Sequence, residues 1–455
     1  MQLNAITAAH PDYRHDLGND LILRWSTPTD TEAIAHLCGQ VFKEKEDDPP
    51  NQFLMNWVRQ VMSGHHILMG QNDFGVVEDL HKQENPIVAC TCLLRHTWDY
   101  EGIAFPVGRP EIVATDSDYR NRGLIRALFG MIHARSEAEG HLVQAITGIP
   151  YFYRQFGYEY AMDLDGKRIT FIQTIPKARD DEPPYTLRGA TEEDIPLILD
   201  YYRHHRRDSI LWMKLTEEIL RFRFTEWQKA AVPDKLPQHM MLIDAAGVPQ
   251  AFVLCGEKRS WRGLDVFKLY FAPQVDIQAL TPPLLRALTL YGEQTAASAE
   301  IDPLGEIHFH LGRSHPIYDA LGGYLAPAFD PPYAWYLRVP DLAAFLTHIA
   351  PVLEKRLASS WMANYSGTVK IDFYRTGLVL QFEQGRLTRV EPWHKPVYGV
   401  DPLAGFPPLI FLQLLFGYRS LEDLRATFPD VWAKKEAKSL LEILFPQRDS
   451  SIALL

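Results

Sequence analysis

The stretch "IVATDSDYRNRGLIRALF" at 112–129 places two arginines and a glycine between a β-branched run and a run of helical period. "EIVAT" (111–115) is strand-like, and "RGLIRALFGMIHARSEAEG" (122–140) has the period of a helix, with Leu124, Leu128 and Met131 on one face. A turn feeding a helix N-terminus offers unpaired backbone N–H groups and the positive end of a dipole, a combination that attracts an anion. Arg120 and Arg122 add charge-assisted donors, and Gly123 lets a phosphate come close to the backbone. The chemistry suggested is pyrophosphate binding. A solvated helix start would use the same residues.

The order of elements around this stretch resembles the GCN5-related N-acetyltransferase (GNAT) family. Its signature is a strand, a Val-x-Val-like bulged segment and Tyr-Arg-x-x-Gly opening a helix. The matching residues are Val113, Thr115, Tyr119, Arg120, Asn121, Arg122 and Gly123. The resemblance implies acetyl-CoA as co-substrate, with its pyrophosphate on the amides of about 120–125, Leu124 and Ile125 included. It also implies that the pantetheine arm pairs like an extra strand with Val113, Ala114 and Thr115. The family has a small residue where Ile125 stands, although isoleucine still supplies its N–H.

Acetylating an amine requires three groups. A substrate ammonium with a pKa near 10 must lose its proton to a base or a water chain, and a departing thiolate of pKa roughly 8.5 must gain one. The thioester carbonyl must be polarised, for which a backbone N–H of the bulged strand, at Ala114 or Thr115, is expected. For the acid, the resemblance implies Tyr153 in "YFYRQFGY" (151–158), with Phe156-Gly157-Tyr158 setting its register. The neighbouring Tyr151 and Tyr158 leave open an aromatic cluster that only packs the sheet edge.

A first GNAT domain, a second GNAT-like copy and a terminal sheet-plus-helices domain together resemble the Eis (enhanced intracellular survival) acetyltransferases, whose third domain is similar to sterol carrier proteins (SCP2-like). This implies that the base is the chain's own terminal carboxylate, here Leu455, reaching back into the first domain. It also implies an acceptor site after the first helix, where "FKEKEDDPPNQ" (42–52) supplies Phe42 and Glu44. Carboxylates there would hold a cationic amine such as an aminoglycoside or polyamine, while a solvated acidic loop is the plain alternative.

Internal echoes support a duplication. "LRWSTPTDTEAI" (23–34) and "LRGATEEDIPLI" (187–198) share Leu-Arg, a Thr three residues after the Arg and an Asp three further on, each reading as a strand that runs into a capped helix. "ITGIPYFYRQFGY" (146–158) and "HLGRSHPIYDALGGY" (310–324) share a proline, a tyrosine and a glycine four residues after that tyrosine. The second copy has "VFKLYFAPQVDIQALTPPLLRALTLYG" (266–292) where the pyrophosphate loop would be, without the arginines or the glycine, so no CoA is expected there. Proline-rich seams at 175–185 and 329–346 set the expected domains at 1–180, 183–340 and 341–455. The fold class expected is mixed α/β (α+β): tandem GNAT folds with central mixed sheets, then an SCP2-like sheet with helices.

Bulk properties narrow the classes. At 455 residues the chain is too long for one core, and its 46% hydrophobic and 23% charged content is that of a globular protein. No segment approaches the ~18 apolar residues of a membrane span, and the N-terminus lacks a secretory pattern, so a cytoplasmic protein is expected. A net charge of −11 argues against a nucleic-acid partner and favours a cationic ligand. Four cysteines suggest no disulfide framework. His308 and His310 alternate in "EIHFHLG", but no motif spacing joins them to other ligands, and no metal is expected. The reading is thus an N-acetyltransferase acting on a cationic small amine by direct attack in a ternary complex, in a homo-oligomer that is hexameric if family-like. The alternatives are a protein or peptide lysine acetyltransferase, or a lipid- or peptide-binding protein with a vestigial first domain.

Overall fold

The computed structural model describes residues 6–227, 237–259, 262–295, 303–394 and 401–452. The chain forms two compact units, one taking the chain up to Met162 with Ser209–Lys214 and everything from Trp335 on, the other taking Asp163–Asp208 and Leu215–Ala334. The architecture is mixed α/β.

The first unit is built on a sheet whose strands are β1 (Arg14–Asp16), β2 (Leu21–Trp25), β3 (Phe74–Asp79), β4 (Ile87–Tyr100), β5 (Ile103–Thr115), β6 (Val143–Ile146) and β7 (Glu159–Leu164). They lie in that order, except that Tyr333–Arg338 inserts between β6 and β7. β4 is buried without a break over Ile87–Leu94, its mostly apolar half, and alternates between buried and more exposed positions over Arg95–Tyr100. Helix α3 (Leu124–Ala138) lays Leu124, Leu128, Met131 and Ile132 on one face of the sheet, against Leu23, Val77 and Leu93. Helices α1 (Thr31–Val41) and α2 (Gln52–Val61) cover the other face through Ile34, Leu37, Val58 and Val61.

The echo at the start of each copy has a physical basis. Arg24 donates two bonds to the Asp30 carboxylate at 2.8 Å each, while Asp30 accepts from the Thr27 N–H at 2.7 Å in a capping box. In the second unit Arg188 holds Asp194 at 2.7 Å twice, and Asp194 accepts from the Thr191 N–H at 2.8 Å. Each box opens an eleven-residue helix, Thr31–Val41 and Ile195–His205. The arginine ties the preceding strand to the helix start, so one device fixes both the cap and the angle between the two elements.

The second unit's sheet runs, edge to edge, Leu325–Asp330, Lys167–Phe171, Glu306–Phe309, Gly263–Phe271, Pro249–Cys255, Gln238–Ile243 and Thr186–Gly189. Two crossings were not legible in the sequence. Lys167–Phe171 precedes the 175–185 seam yet pairs with Glu306–Phe309 in the second sheet. Conversely Tyr336, Leu337 and Arg338 pair with Ile146, Ala145 and Gln144 in the first. The C-terminal part of the first unit carries a smaller sheet (Gly367–Asp372, Gly377–Glu383, Arg386–Trp393, Ala404–Gly405, Trp432–Ala433) with helices such as Ala350–Ala358 and Lys435–Leu444. Its tail returns to the first sheet, where Ser450–Ser451 pairs in parallel with Leu211–Trp212 and that strand pairs antiparallel with the end of β4.

Candidate active site

The site begins where β4 and β5 lose register. Ala89 faces Thr115 and Cys90 faces Ala114, but Cys92 already faces Glu111, so two residues, Ile112 and Val113, bulge opposite Thr91. Ile112 sits at a φ of 51°, a left-handed conformation costly for a β-branched residue and characteristic of a bulge that re-aims a strand. On its other side β5 pairs in parallel with β6 at Val107↔Val143 and Gly108↔Gln144. That pairing ends at Gly108, while β6 carries Tyr336–Arg338 on its opposite edge, so among the described residues the 109–115 edge of β5 has no strand partner on the β6 side and is open to an extended ligand.

At the end of that edge the chain turns through Ser117–Tyr119 into α3. Gly123 is the N-cap at a φ of 77°, and no side chain caps the helix. Asn121 is also left-handed at 61°. Glycine accepts this conformation without strain, and with no side-chain cap the first-turn amides of α3 keep their N–H groups available for an anion. Arg120, Asn121, Arg122 and Gly123 are exposed, whereas Leu124 is buried in the core and Ile125 is half-buried. Arg122 rests over the Tyr119 ring at 4.7 Å and donates to the Asp118 carbonyl at 2.8 Å. The Tyr119 hydroxyl in turn donates to Asp79, a bond that pushes the phenol up to about 12 and fixes it as a platform for the arginine.

Tyr153 is 3% exposed and opens a single 3-10 turn, Tyr153–Phe156. Its ring lies 5.7 Å from Phe129 of α3 and 5.3 Å from Tyr336. The same cluster takes in Val113 from the bulged edge and Ile125 from the first turn of α3. Three sequence candidates from separate elements therefore meet in one patch. Tyr158 has a different environment: fully buried, it shares a 2.9 Å hydrogen bond with His133, whose imidazole is pulled down to about 3 by burial and stays neutral. Tyr151 is 71% exposed.

The remaining candidates are less concentrated. Phe42 and Glu44 lie on the exposed loop between α1 and α2, and Glu44 has no hydrogen bond or ion pair among the described residues. Leu455 lies outside the described residues. The tail before it is described, and at Ser450–Ser451 it runs in the same sense as β5.

One group was missed. Glu111, one residue before the left-handed Ile112, sits opposite Cys92 on the face covered by α1 and α2. It pairs with the buried Arg109 at 2.6 Å, and Arg109 lies 5.1 Å from the Trp335 ring, itself edge-on to Trp98. The available signal was two charged residues, at alternate positions, in a strand otherwise apolar on both faces.

Comparison with known proteins agrees with this geometry. The family model "Acetyltransferase (GNAT) domain" matches residues 23–161. Residues 23–161 are a GNAT acetyltransferase domain. The domain takes in α1, α2, the bulged β5, α3 and Tyr153. Nearly the whole chain shares its fold with several solved proteins of similar length. A GCN5-related N-acetyltransferase from Kribbella flavida is 16% identical with a TM-score of 0.62, over 95% of this chain and 99% of that one. One from Anabaena variabilis is 12% identical with a TM-score of 0.64, over the same shares. Eis1 from Mycobacterium abscessus is 13% identical with a TM-score of 0.57, over 94% of this chain and 98% of that one. No curated protein sequence matches the chain. Among the described residues no helix is long and apolar enough to cross a membrane.

Proposed function

We propose that the protein transfers acetyl from acetyl-CoA to a primary amine of a cationic small molecule, by direct attack within a ternary complex. The observation that carries this reading is the open edge of β5, which leads from the bulge directly into the uncapped start of α3 beside a buried tyrosine. Acetyl-CoA fits that path. The backbone of Val113, Ala114 and Thr115 would pair with the amides of the pantetheine arm, and the N–H groups of about 120–125 with Arg120 and Arg122 would take the pyrophosphate. The bound co-substrate supplies an acetyl group already activated as a thioester. The chain's part is to hold that thioester beside Tyr153, to polarise its carbonyl with an N–H of Ala114 or Thr115, and to protonate the leaving sulfur from the Tyr153 hydroxyl.

Two groups compete as base. Leu455 follows from the Eis resemblance, and the tail's return to the first sheet supports it. Glu111 is favoured by its position at the bulge. Phe42 and Glu44 form the acceptor's outer contact in this reading. We read the domains as a catalytic domain over 1–180, a non-catalytic GNAT-like copy over 183–340 and an SCP2-like domain over 341–455. The second copy supports that assignment at its corresponding helix, Ile277–Gln294, where the Asp276 carboxylate accepts from the Gln278 and Ala279 N–H groups and would repel a phosphate.

The test is calorimetric titration of the full chain with acetyl-CoA, followed by thiol release with polyamines, aminoglycosides and lysine peptides. One site per chain and turnover with a small polyamine or aminoglycoside are expected. Turnover confined to lysine peptides would replace the substrate class, and absence of acetyl-CoA binding would remove the function.

A further inference from the structure

The second unit carries a cluster that the transfer reaction does not use. Asp265 lies on Gly263–Phe271, and His308 and His310 on and just after the neighbouring parallel strand Glu306–Phe309. Asp265 is the register partner of His308, so the residues project from one face of adjacent strands. Asp265 Oδ1 is 3.2 Å from His308 Nδ1 and 2.8 Å from His310 Nε2. One ligand atom from each of the three residues falls within 4.8 Å of the others. Donors about 2.0–2.2 Å from a tetrahedral ion lie roughly 3.4 Å from one another, a spacing that small side-chain rotations of these three residues would reach.

The surroundings also suit an ion. His308 Nε2 is 2.8 Å from the Glu306 carboxylate, which leaves Nδ1 to face Asp265 and His310. That is the carboxylate–histidine arrangement in which a second carboxylate fixes the tautomer and orientation of a metal ligand. The His308 ring has a place only because residue 263 is glycine: a Cβ there would lie 2.1 Å from His308 Cε1. His310 is backed by the Phe267 ring at 5.3 Å. Charge is also suitable. Asp265 and Glu306 give the cluster two carboxylates, while the nearby cation Lys167 is held by Asp330 at 2.9 Å. The side chains of Asp265, His308 and His310 are 12%, 13% and 27% exposed, sheltered yet reachable from solvent.

We propose that Asp265, His308 and His310 form a binding site for a divalent transition-metal ion, with Glu306 orienting His308. Two imidazoles and one carboxylate make a three-donor set suited to Zn²⁺ or Co²⁺ with solvent in the remaining position. Bound there, the ion would tie the two parallel strands together. The alternating histidines were visible in the sequence, but their third partner stands 43 residues before His308 and only the sheet brings it alongside.

The experiment uses untagged full-length protein stripped with a chelator, titrated with Zn²⁺ by calorimetry and with Co²⁺ by visible absorption. Expected are one ion per chain, a rise in melting temperature on adding Zn²⁺, and loss of both in the double variant His308→Ala/His310→Ala. Glu306→Gln, which keeps all three donors, should weaken binding about 10–100-fold. Melting in the presence of chelator checks that each variant folds, and should the double variant not fold, Asp265→Asn takes its place as the deciding variant. Absence of saturable binding would overturn the proposal. So would wild-type affinity in the double variant or in Asp265→Asn, since the ion would then sit on other histidines.

Discussion

Three tyrosines within eight residues allow the proposed acid to be separated from its packing. Tyr153→Phe keeps the ring against Phe129 at 5.7 Å, Phe152 at 5.2 Å and Tyr336 at 5.3 Å, so only the hydroxyl is lost. One neutral hydrogen bond is worth about 1 kcal/mol, which sets the expected loss of stability. General acids contribute about 10²–10⁴ in rate, and a thiolate whose conjugate acid has a pKa of roughly 8.5 is a fair leaving group, which places kcat about 100-fold down. Affinity for acetyl-CoA should hold, because none of the amides proposed to bind it is touched. Tyr158→Phe is the control of equal burial. It removes the bond to His133 at 2.9 Å, leaves a buried imidazole nitrogen without that partner, and should cost about 1–3 kcal/mol with kcat retained. Tyr151→Phe, on a ring 71% exposed, should change neither. The assay is thiol release at saturating acetyl-CoA beside urea denaturation of each variant. A wild-type kcat in Tyr153→Phe would dismiss it as the acid. Equal losses of kcat in Tyr153→Phe and Tyr158→Phe would show that the cluster acts only by packing.

Arg122→Glu should weaken acetyl-CoA binding by roughly 10–150-fold, the equivalent of one charge-assisted hydrogen bond, in calorimetry at fixed salt; unchanged affinity would take the pyrophosphate away from α3. Asp30→Ala should cost about 3 kcal/mol, the low end for breaking a buried pair, because Glu78 still holds Arg24 at 2.8 Å. Asp194→Ala should cost about 1–2 kcal/mol, since the Arg188 side chain is 39% exposed and can turn to water. Burial pulls Asp30 upward but the Arg24 and Thr27 bonds outweigh it, and the Arg188 bond leads in lowering Asp194, so both carboxyls end below their ordinary value. Their stabilisation is complete above the unfolded-state pKa of about 3.9 and is lost as pH falls through the depressed values, so acid titration of wild type should fall more steeply below about pH 4 than that of the double variant. Deleting Leu454 and Leu455 and, separately, replacing Glu111→Gln should distinguish the two bases: the variant that loses kcat at neutral pH and regains part of it at high pH carries the base, and full activity in both would exclude each.

The sequence made legible whatever is local. The Arg–Thr–Asp echo is a capping box plus a strand tie within eight residues, and both copies close it at 2.7–2.8 Å. The Gly123 helix start is likewise a property of one turn. Legibility stopped where the chemistry depends on pairing across the sheet. Glu111 gains meaning only because the β4 register slips between Cys90 and Cys92, and Asp265 only because its strand runs parallel to His308. The exchanged strands Lys167–Phe171 and Tyr333–Arg338 have ordinary β composition. Nothing in them says which sheet completes them, and the proline-rich seams mark loops without marking the strands that pass from one sheet to the other.

The two GNAT-like copies share some structural devices and part at others. Both keep the arginine-tied cap, the central antiparallel strands and a short helical segment bearing a tyrosine, a 3-10 turn in the first and Pro316–Leu321 in the second. They part at the helix that follows the central strand. One helix starts on Gly123, whose bare backbone leaves the first-turn amides open; the other starts on Asp276, whose carboxylate takes the amides of Gln278 and Ala279 at 3.0 and 3.2 Å. In the second copy Tyr318 donates its hydroxyl to the Phe309 carbonyl at 3.2 Å, and burial raises the phenol to about 12. The aspartate cap is the more stable solution, over glycine by about a few tenths of a kcal/mol. That the first copy forgoes this cap, and holds Ile112 in a left-handed conformation on the strand that leads to it, is the expected signature of a segment shaped by what it binds instead of by its own folding.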